Sequence, residues 1–236
     1  EKRPVVNQKF LGASANNSFA DITIIIDRKQ SMKVYESQIN SSVRELASCM
    51  NPRTTLRIVS AGQIPALEYV GSPNGAKQFS VAGLKTGYAN NVPMDLAVRL
   101  AANDLINAEK KRAIIFISDG DITQNSFDKY SLNEMTSYLN NNFISFLMIQ
   151  VEQKAIDDSL DYLVKNTNGT EYFMFRPEGL SKIIKDIVEI PSGVYTFSYT
   201  STLGTNFGEK YLPIEVEVYL MNRSGRDESG YFAPLQ

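Results

Sequence analysis

Hydrophobic residues along this chain form continuous runs typical of buried strands in some segments and recur at helical spacing in others. Residues 20–27 read ADITIIID, a continuous β-branched run that is typical of a strand buried on both faces. In residues 31–50 the apolar positions recur at steps of three and four, which predicts an amphipathic helix. The alternation of strand and helix then continues to about residue 190.

The repeated pattern predicts a mostly parallel sheet built from right-handed βαβ units. A short link between two of the strands, Ala61-Gly62-Gln63, favours antiparallel pairing at that point. The further predicted strands are 54–60, 64–70, 112–118, 143–151 and 171–175, with a short strand near 77–81 in a polar loop. The further predicted helices are 93–109, 131–141, 156–166 and 178–188.

After Pro191 the apolar residues alternate with polar ones, which indicates half-buried antiparallel strands at 195–199 and 214–218. Residues 4–11 are expected to add a third strand. The predicted organisation is therefore an N-terminal segment (1–19), an α/β domain (20–190) and a C-terminal β appendage (191–236). Three strands alone leave open edges, so we expect this piece to belong to a larger polypeptide with flanking domains.

Composition excludes several classes of function. The 236 residues contain no histidine and a single cysteine, Cys49, so histidine-dependent triads, histidine-ligated or four-cysteine zinc sites and an internal disulfide framework are ruled out. Cys49 is predicted to be a small core residue. A net charge of −2 argues against nucleic-acid binding. No apolar run approaches the roughly 20 residues of a membrane span.

Two carboxylates follow buried strands and mark the candidate site. Asp27 and Asp119 stand at the carboxyl ends of two predicted parallel strands, where ligands bind in open α/β sheets. Ser31 lies four residues after Asp27, at the start of the predicted helix. Its hydroxyl is either a site group or simply the N-cap of that helix.

The spacing of these residues resembles that of von Willebrand factor A domains. The first motif reads Asp27-Arg28-Lys29-Gln30-Ser31-Met32 and the last reads Ile117-Ser118-Asp119-Gly120, and the order of elements agrees over residues 20–190. The resemblance implies a doubly wound α/β fold with strand order 3-2-1-4-5-6. It also implies a metal-ion-dependent adhesion site, usually holding Mg²⁺, at positions matched by Asp27, Ser31 and Asp119.

The tail after residue 191 is similar to the segment that follows such domains in many bacterial proteins, spirochaete ones included. This similarity implies an extracytoplasmic bacterial protein, in the periplasm or at the cell surface. Its partners are expected to be proteins, with no nucleic acid and no membrane span in this part of the chain.

Two positions depart from the metal-site motif. Lys29 stands where the first serine belongs, and Val92, which has no side-chain oxygen, stands where a threonine belongs. At an effective dielectric of about 20, an ammonium about 5 Å from Mg²⁺ is repelled by roughly 6–7 kcal/mol. We therefore expect no metal and no cofactor, with Lys29 neutralising the two aspartates. The alternative is that Lys29 points to solvent.

These residues favour a non-catalytic protein-interaction or scaffold module with a degenerate adhesion site. Arg28, Gln30 and Asp121 are expected as contacts on its rim. A Mg²⁺-dependent adhesion domain with a weakened site and a purely structural domain remain alternatives. A phosphatase of the haloacid-dehalogenase type is excluded, because Lys29 occupies the position of its acid/base aspartate.

Overall fold

A six-stranded sheet forms the centre of the larger part of the chain in the computed structural model, which describes residues 5–13, 19–108, 110–190, 195–201 and 211–232. The chain divides into two compact units. The larger unit is Gly12–Thr196, and the smaller one combines Glu1–Leu11 with Phe197–Gln236.

The strands of the central sheet are β2 (Ala20–Asp27), β3 (Leu56–Ala61), β4 (Ala66–Gly71), β5 (Lys111–Ser118), β6 (Ile144–Gln150) and β7 (Glu171–Phe173). Their order is β4-β3-β2-β5-β6-β7, which is 3-2-1-4-5-6 when the six are numbered along the chain. All neighbours are parallel except β3 and β4, which pair antiparallel. The predicted α/β class and strand order are confirmed.

Helices cover both faces of this sheet because every central strand is apolar on both sides. They are α1 (Glu36–Cys49), α2 (Met94–Asn103), α3 (Leu132–Asn141), α4 (Asp158–Asn166) and α5 (Ser181–Glu189). One buried cluster joins the sheet to α1 and α5, and a second joins it to α2, α3 and α4. In the described part of the chain, no helix is both long and apolar enough to cross a membrane.

The structure corrects three local predictions. The helix expected over residues 31–50 begins as a 3₁₀ helix (Gln30–Tyr35) and becomes α-helical only at Glu36. In place of a strand near 77–81, 3₁₀ turns occupy Pro73–Gln78 and Val81–Gly83. Cys49 is exposed, because it lies one position away from the buried stripe of α1.

Two further sheets, each of two strands, lie outside the central sheet. β1 (Val6–Ala13) pairs with β8 (Tyr195–Thr200), and β9 (Tyr211–Leu220) pairs antiparallel with β10 (Arg223–Phe232). The sequence pattern did not predict β10, because its glycines and charged residues carry no alternation. Its strand conformation is set by continuous pairing with β9.

Gly169 supplies one test of the packing between α4 and β6. A Cβ atom at this position would lie 1.8 Å from the carbonyl oxygen of Phe146, whereas a Cβ at Gly83 would meet nothing within 4 Å. We expect Gly169→Ala to cost the upper end of the about 1–3 kcal/mol typical of overpacking, and Gly83→Ala to be near neutral. Urea unfolding of both variants measures the difference, and equal stabilities would contradict the packing described.

Candidate functional site

The carboxyl ends of β2 and β5 meet at the point where the strand order reverses. Asp27 is the last residue of β2, and Asp119 directly follows Ser118, the last residue of β5. The two strands are parallel neighbours, with Ile26 opposite Ile117. Asp27 and Asp119 therefore reach the same edge of the sheet, which is the usual ligand position in this class of fold.

The side chain of Lys29 lies between these two aspartates. Its Nζ is 2.5 Å from Asp119 Oδ1 and 3.4 Å from Asp27 Oδ2, and it also donates to the backbone carbonyl of Asp121. The side chain is only 10% exposed, so it points into the protein and not to solvent. Its Nζ thus donates hydrogen bonds to Asp119 and to the Asp121 carbonyl, and Asp27 is a further ion-pair partner.

Further donors complete the coordination of both carboxylates. Asp27 accepts from the Ser118 hydroxyl at 2.6 Å and from the Lys29 backbone N–H at 2.9 Å. Asp119 accepts from the Ser31 hydroxyl at 2.6 Å and from the Asp121 backbone N–H at 3.0 Å. Ser31 lies inside the 3₁₀ helix Gln30–Tyr35, whose N-cap residue is Lys29, so it is not the N-cap. Its hydroxyl therefore belongs to the polar cluster, which we define as Asp27, Lys29, Ser31, Ser118 and Asp119.

The pKa values of the two carboxyl groups are shifted in opposite directions. Burial raises the pKa of Asp27 to about 6, although the Lys29 ammonium and the Ser118 hydroxyl oppose it. Burial also acts to raise the pKa of Asp119, but hydrogen bonds from Lys29 and Ser31 outweigh it and hold that pKa below its usual range. Both groups are therefore mostly ionised at neutral pH and face one ammonium.

Backbone geometry places the groups that surround Lys29. Gly120 adopts φ +96°, a conformation that favours glycine, and this turn brings Asp121 back toward Asp119. Lys29 itself is extended and forms a parallel bridge with Ala89. The Gln30 N–H donates to the Ala89 carbonyl at 3.1 Å. The loop before α2 is thus attached to the Lys29 segment.

The remaining predicted residues divide between core and surface. Val92 is 4% exposed and packs in the apolar cluster with Ile25 and Val59. Arg28 is also buried, with its guanidinium 3.7 Å from the centre of the Tyr88 ring, which corrects its predicted place on the rim. Gln30, by contrast, is exposed, as is Asp121.

A second polar network borders the cluster and was not predicted from the sequence. Lys154 Nζ lies 2.7 Å from Asp121 Oδ2 and 3.3 Å from Glu152 Oε2, and the Tyr35 hydroxyl donates to Glu152. Glu152 and Lys154 follow the carboxyl end of β6, the strand next to β5. Their position beside a third strand end is the signal that could have identified them.

Asp95 holds the loop that carries Asp121. It is 1% exposed, and its Oδ2 accepts from the backbone N–H groups of Lys129 and Tyr130 at 2.8 and 2.9 Å. In the same loop, the hydroxyls of Thr123 and Ser126 donate to the Val92 carbonyl. The loop after β5 is therefore anchored to the start of α2.

We expect Asp95→Ala to destabilise the protein by about 2 kcal/mol, because two partly buried backbone donors lose a charged acceptor. Hydrogen exchange should also speed up at Lys129 and Tyr130. Asp128→Ala, at an exposed position in the same loop, is the matched control. Unchanged exchange in the Asp95 variant would contradict an anchoring role.

The polar cluster does not fit a divalent cation as it stands. Mg²⁺ requires oxygen ligands at about 2.0–2.1 Å in octahedral geometry. Here the ammonium of Lys29 takes oxygens from both aspartates that such an ion would use. Among the residues that the structure describes, no group of three or more acidic, histidine or cysteine side chains is arranged to hold a metal.

No protein-family model and no curated protein sequence matches this chain. Solved structures do. An aerotolerance-related membrane protein from Bacteroides fragilis, carrying multiple mutations to serine, is 15% identical with a TM-score of 0.55. The match covers 72% of this chain and 98% of that one.

Two further solved structures are similar to this chain in fold. A von Willebrand factor type A protein from Catenulispora acidiphila is 13% identical with a TM-score of 0.54, over 78% of this chain and 49% of that one. Proximal thread matrix protein 1 from the mussel byssus, with zinc in its metal-ion-dependent adhesion site, is 14% identical with a TM-score of 0.55, over 82% and 49%. This chain thus spans about half the length of these two proteins.

Proposed function

We propose that this chain, which has the von Willebrand factor A fold, is a non-catalytic protein-interaction or scaffold module whose adhesion site works without a metal. One observation carries the proposal. The Lys29 ammonium lies between Asp27 and Asp119 and forms an ion pair with each of them. The protein thus supplies internally the positive charge that a metal would otherwise bring.

A surface for partners lies above this neutralised cluster. Gln30, Ser31 and Asp121 are exposed at its edge, whereas Asp27 and Lys29 are buried beneath them. Since the ammonium is buried and already paired with both aspartates, a partner's carboxylate would find no free cation there. Contacts are instead made by the exposed side chains, in a manner that neither needs nor responds to divalent ions.

We further propose that the module acts outside the cytoplasm of a bacterium, in the periplasm or at the cell surface, as part of a larger polypeptide. The similarity to a Bacteroides fragilis membrane protein supports this location. Proteins are its partners, and flanking domains of the same chain are among them.

Metal independence is tested by thermal unfolding with EDTA, Mg²⁺ or Mn²⁺. An ion that binds only the folded state must raise the midpoint, by about 2.7 kcal/mol of added stability at 100 times Kd. We expect superimposable unfolding curves in all three conditions. A midpoint that rises with millimolar Mg²⁺ would favour the alternative, an adhesion domain with a weakened metal site.

The smaller unit supports a second candidate function, a structural domain that contacts its neighbours through the appendage. More than half of the exposed large apolar residues in the described part of the chain lie in that unit. They are Val6, Phe197, Tyr211, Val216, Val218, Tyr219 and Met221.

Capture experiments in EDTA with the full-length parent protein separate the two candidates. Ser31→Arg alters the surface above the cluster, and Val218→Lys alters the hairpin. Loss of a partner only with Ser31→Arg supports the interaction module. Loss only with Val218→Lys supports the structural domain.

A further inference from the structure

Lys29 and Asp119 are a buried amine and a buried carboxyl group in direct contact. Their Nζ and Oδ1 atoms are 2.5 Å apart, and the side chains are 10% and 5% exposed. A second carboxyl group, Asp27, lies 3.4 Å from the same nitrogen and is 2% exposed. A nucleophile, an electrophile and a group that can carry protons are thus enclosed together.

We infer that Lys29 and Asp119 become joined by an isopeptide bond, an amide between Nζ and Cγ, with Asp27 as the proton carrier. The inference rests on the same placement of Lys29 as the proposed function, but it requires no partner. The amide would consume the ammonium and the Asp119 carboxylate together, so the position of the metal would stay blocked without a charge on Nζ.

The reaction begins with transfer of one proton from Nζ to the Asp119 carboxylate along their hydrogen bond. This transfer provides the neutral amine and the carboxylic acid that the next step needs. The nitrogen lone pair then attacks Cγ, and the C–N bond forms as negative charge moves to oxygen. Asp27 accepts a proton from this nitrogen and returns it to the departing hydroxyl, so that the C–O bond breaks and water leaves.

The balance of the reaction is one ammonium and one carboxylate giving one amide and one water molecule. No oxidant, reductant or external reagent is needed. Because the reacting groups are held in contact, the step has the advantage of an intramolecular reaction, for which effective molarities reach about 10⁵–10⁸ M.

Neighbouring donors prepare Asp119 for attack. The Ser31 hydroxyl lies 2.6 Å from Oδ2, and the Asp121 backbone N–H lies 3.0 Å from Oδ1. Both can stabilise the negative charge that develops on the carboxyl oxygens during attack. The Ser118 hydroxyl, 2.6 Å from Asp27 Oδ2, orients the proton carrier.

Lys154 and Asp121 form a similar lysine–aspartate ion pair, but its side chains are not buried. Their Nζ and Oδ2 atoms are 2.7 Å apart, and a further carboxylate, Glu152, lies 3.3 Å from Nζ. The Lys154 and Asp121 side chains are, however, 34% and 62% exposed. Water solvates this ion pair, so we expect it to remain unlinked and to serve as an internal control.

The test is mass spectrometry of the complete, denatured wild-type chain, followed by a tryptic peptide map. We expect an intact mass lower than the sequence mass by one water molecule. The map should contain a branched peptide that joins the Lys29 and Asp119 segments, with no cleavage after Lys29. Lys154 and Asp121 should appear only in linear peptides.

Linear peptides for both Lys29 and Asp119 would overturn the inference. Loss of water without a branched peptide would also overturn it, since a cyclic imide at Asp119-Gly120 has the same mass. Lys29→Arg and Asp27→Asn should each restore the full mass, and a bond that still forms in Asp27→Asn would remove Asp27 from the reaction. If the wild-type protein is unlinked and its thermal midpoint does not change with Mg²⁺, the inference fails and the proposed function is still supported.

Discussion

We expect the double variant Lys29→Ser with Val92→Thr to gain a divalent-metal response that the wild-type protein should not show. The first substitution removes the ammonium from between Asp27 and Asp119, and both add a hydroxyl oxygen of the kind that Mg²⁺ prefers. At a metal concentration near 100 times Kd the folded state gains about 2.7 kcal/mol. For a chain of this size, that gain raises the thermal midpoint by about 5–10 °C.

Single variants separate the two contributions to this response. Val92→Thr alone keeps the lysine and should stay insensitive to Mg²⁺ and Mn²⁺. Lys29→Ser alone should respond more weakly than the double variant. Lys154→Ser, which removes an exposed lysine near the same cluster, is the matched control and should show no response. A double variant that ignores both metals would show that these positions do not form the adhesion site.

Lys29→Met should be among the most destabilising single substitutions in the chain. Relative to protein in which Lys29 and Asp119 are not linked, it leaves two buried carboxylates facing each other without a cation, and removing one partner of a buried ion pair costs about 3–5 kcal/mol. The methylene part of the side chain is preserved, so the loss reports the charge and not a cavity. Urea unfolding at neutral pH measures it.

Lys154→Met is the control for this second prediction. Its ion pair with Asp121 is largely exposed, and such pairs contribute about 0–1 kcal/mol. Adding Asp119→Asn to Lys29→Met removes one of the two facing charges and should recover part of the lost stability. Equal losses in the Lys29 and Lys154 variants would mean that the buried ammonium does not compensate the aspartates.

The central sheet could be predicted from the sequence because its strands are apolar on both faces. Continuous apolar runs such as 20–27 are stable only where helices cover both sides of the sheet, so the fold class followed from the pattern. The strand order was instead implied by the resemblance to von Willebrand factor A domains. The start of α1 could not be predicted in this way, since a 3₁₀ turn and an α-helix place apolar residues at similar spacings. Strand β10 could not be predicted, because its strand conformation is determined by pairing with β9 and not by an alternation of its side chains.

The candidate site was predictable to the extent that it follows strand ends. Asp27 and Asp119 meet because their strands are parallel neighbours. The direction of the Lys29 side chain needed the structure, since it depends on the bridge to Ala89 and on the Asp121 carbonyl. The burial of Arg28 against Tyr88 depends likewise on a loop distant in sequence.

The pairing of β1 with β8 has a consequence for how the protein is made. Nearly the whole larger unit lies between these strands in the sequence. At a synthesis rate of about 5–20 residues per second, β1 waits on the order of ten seconds or more before β8 leaves the ribosome. The α/β unit can fold during that interval, while the pairing edge of β1 remains available to chaperones or to a neighbouring nascent chain.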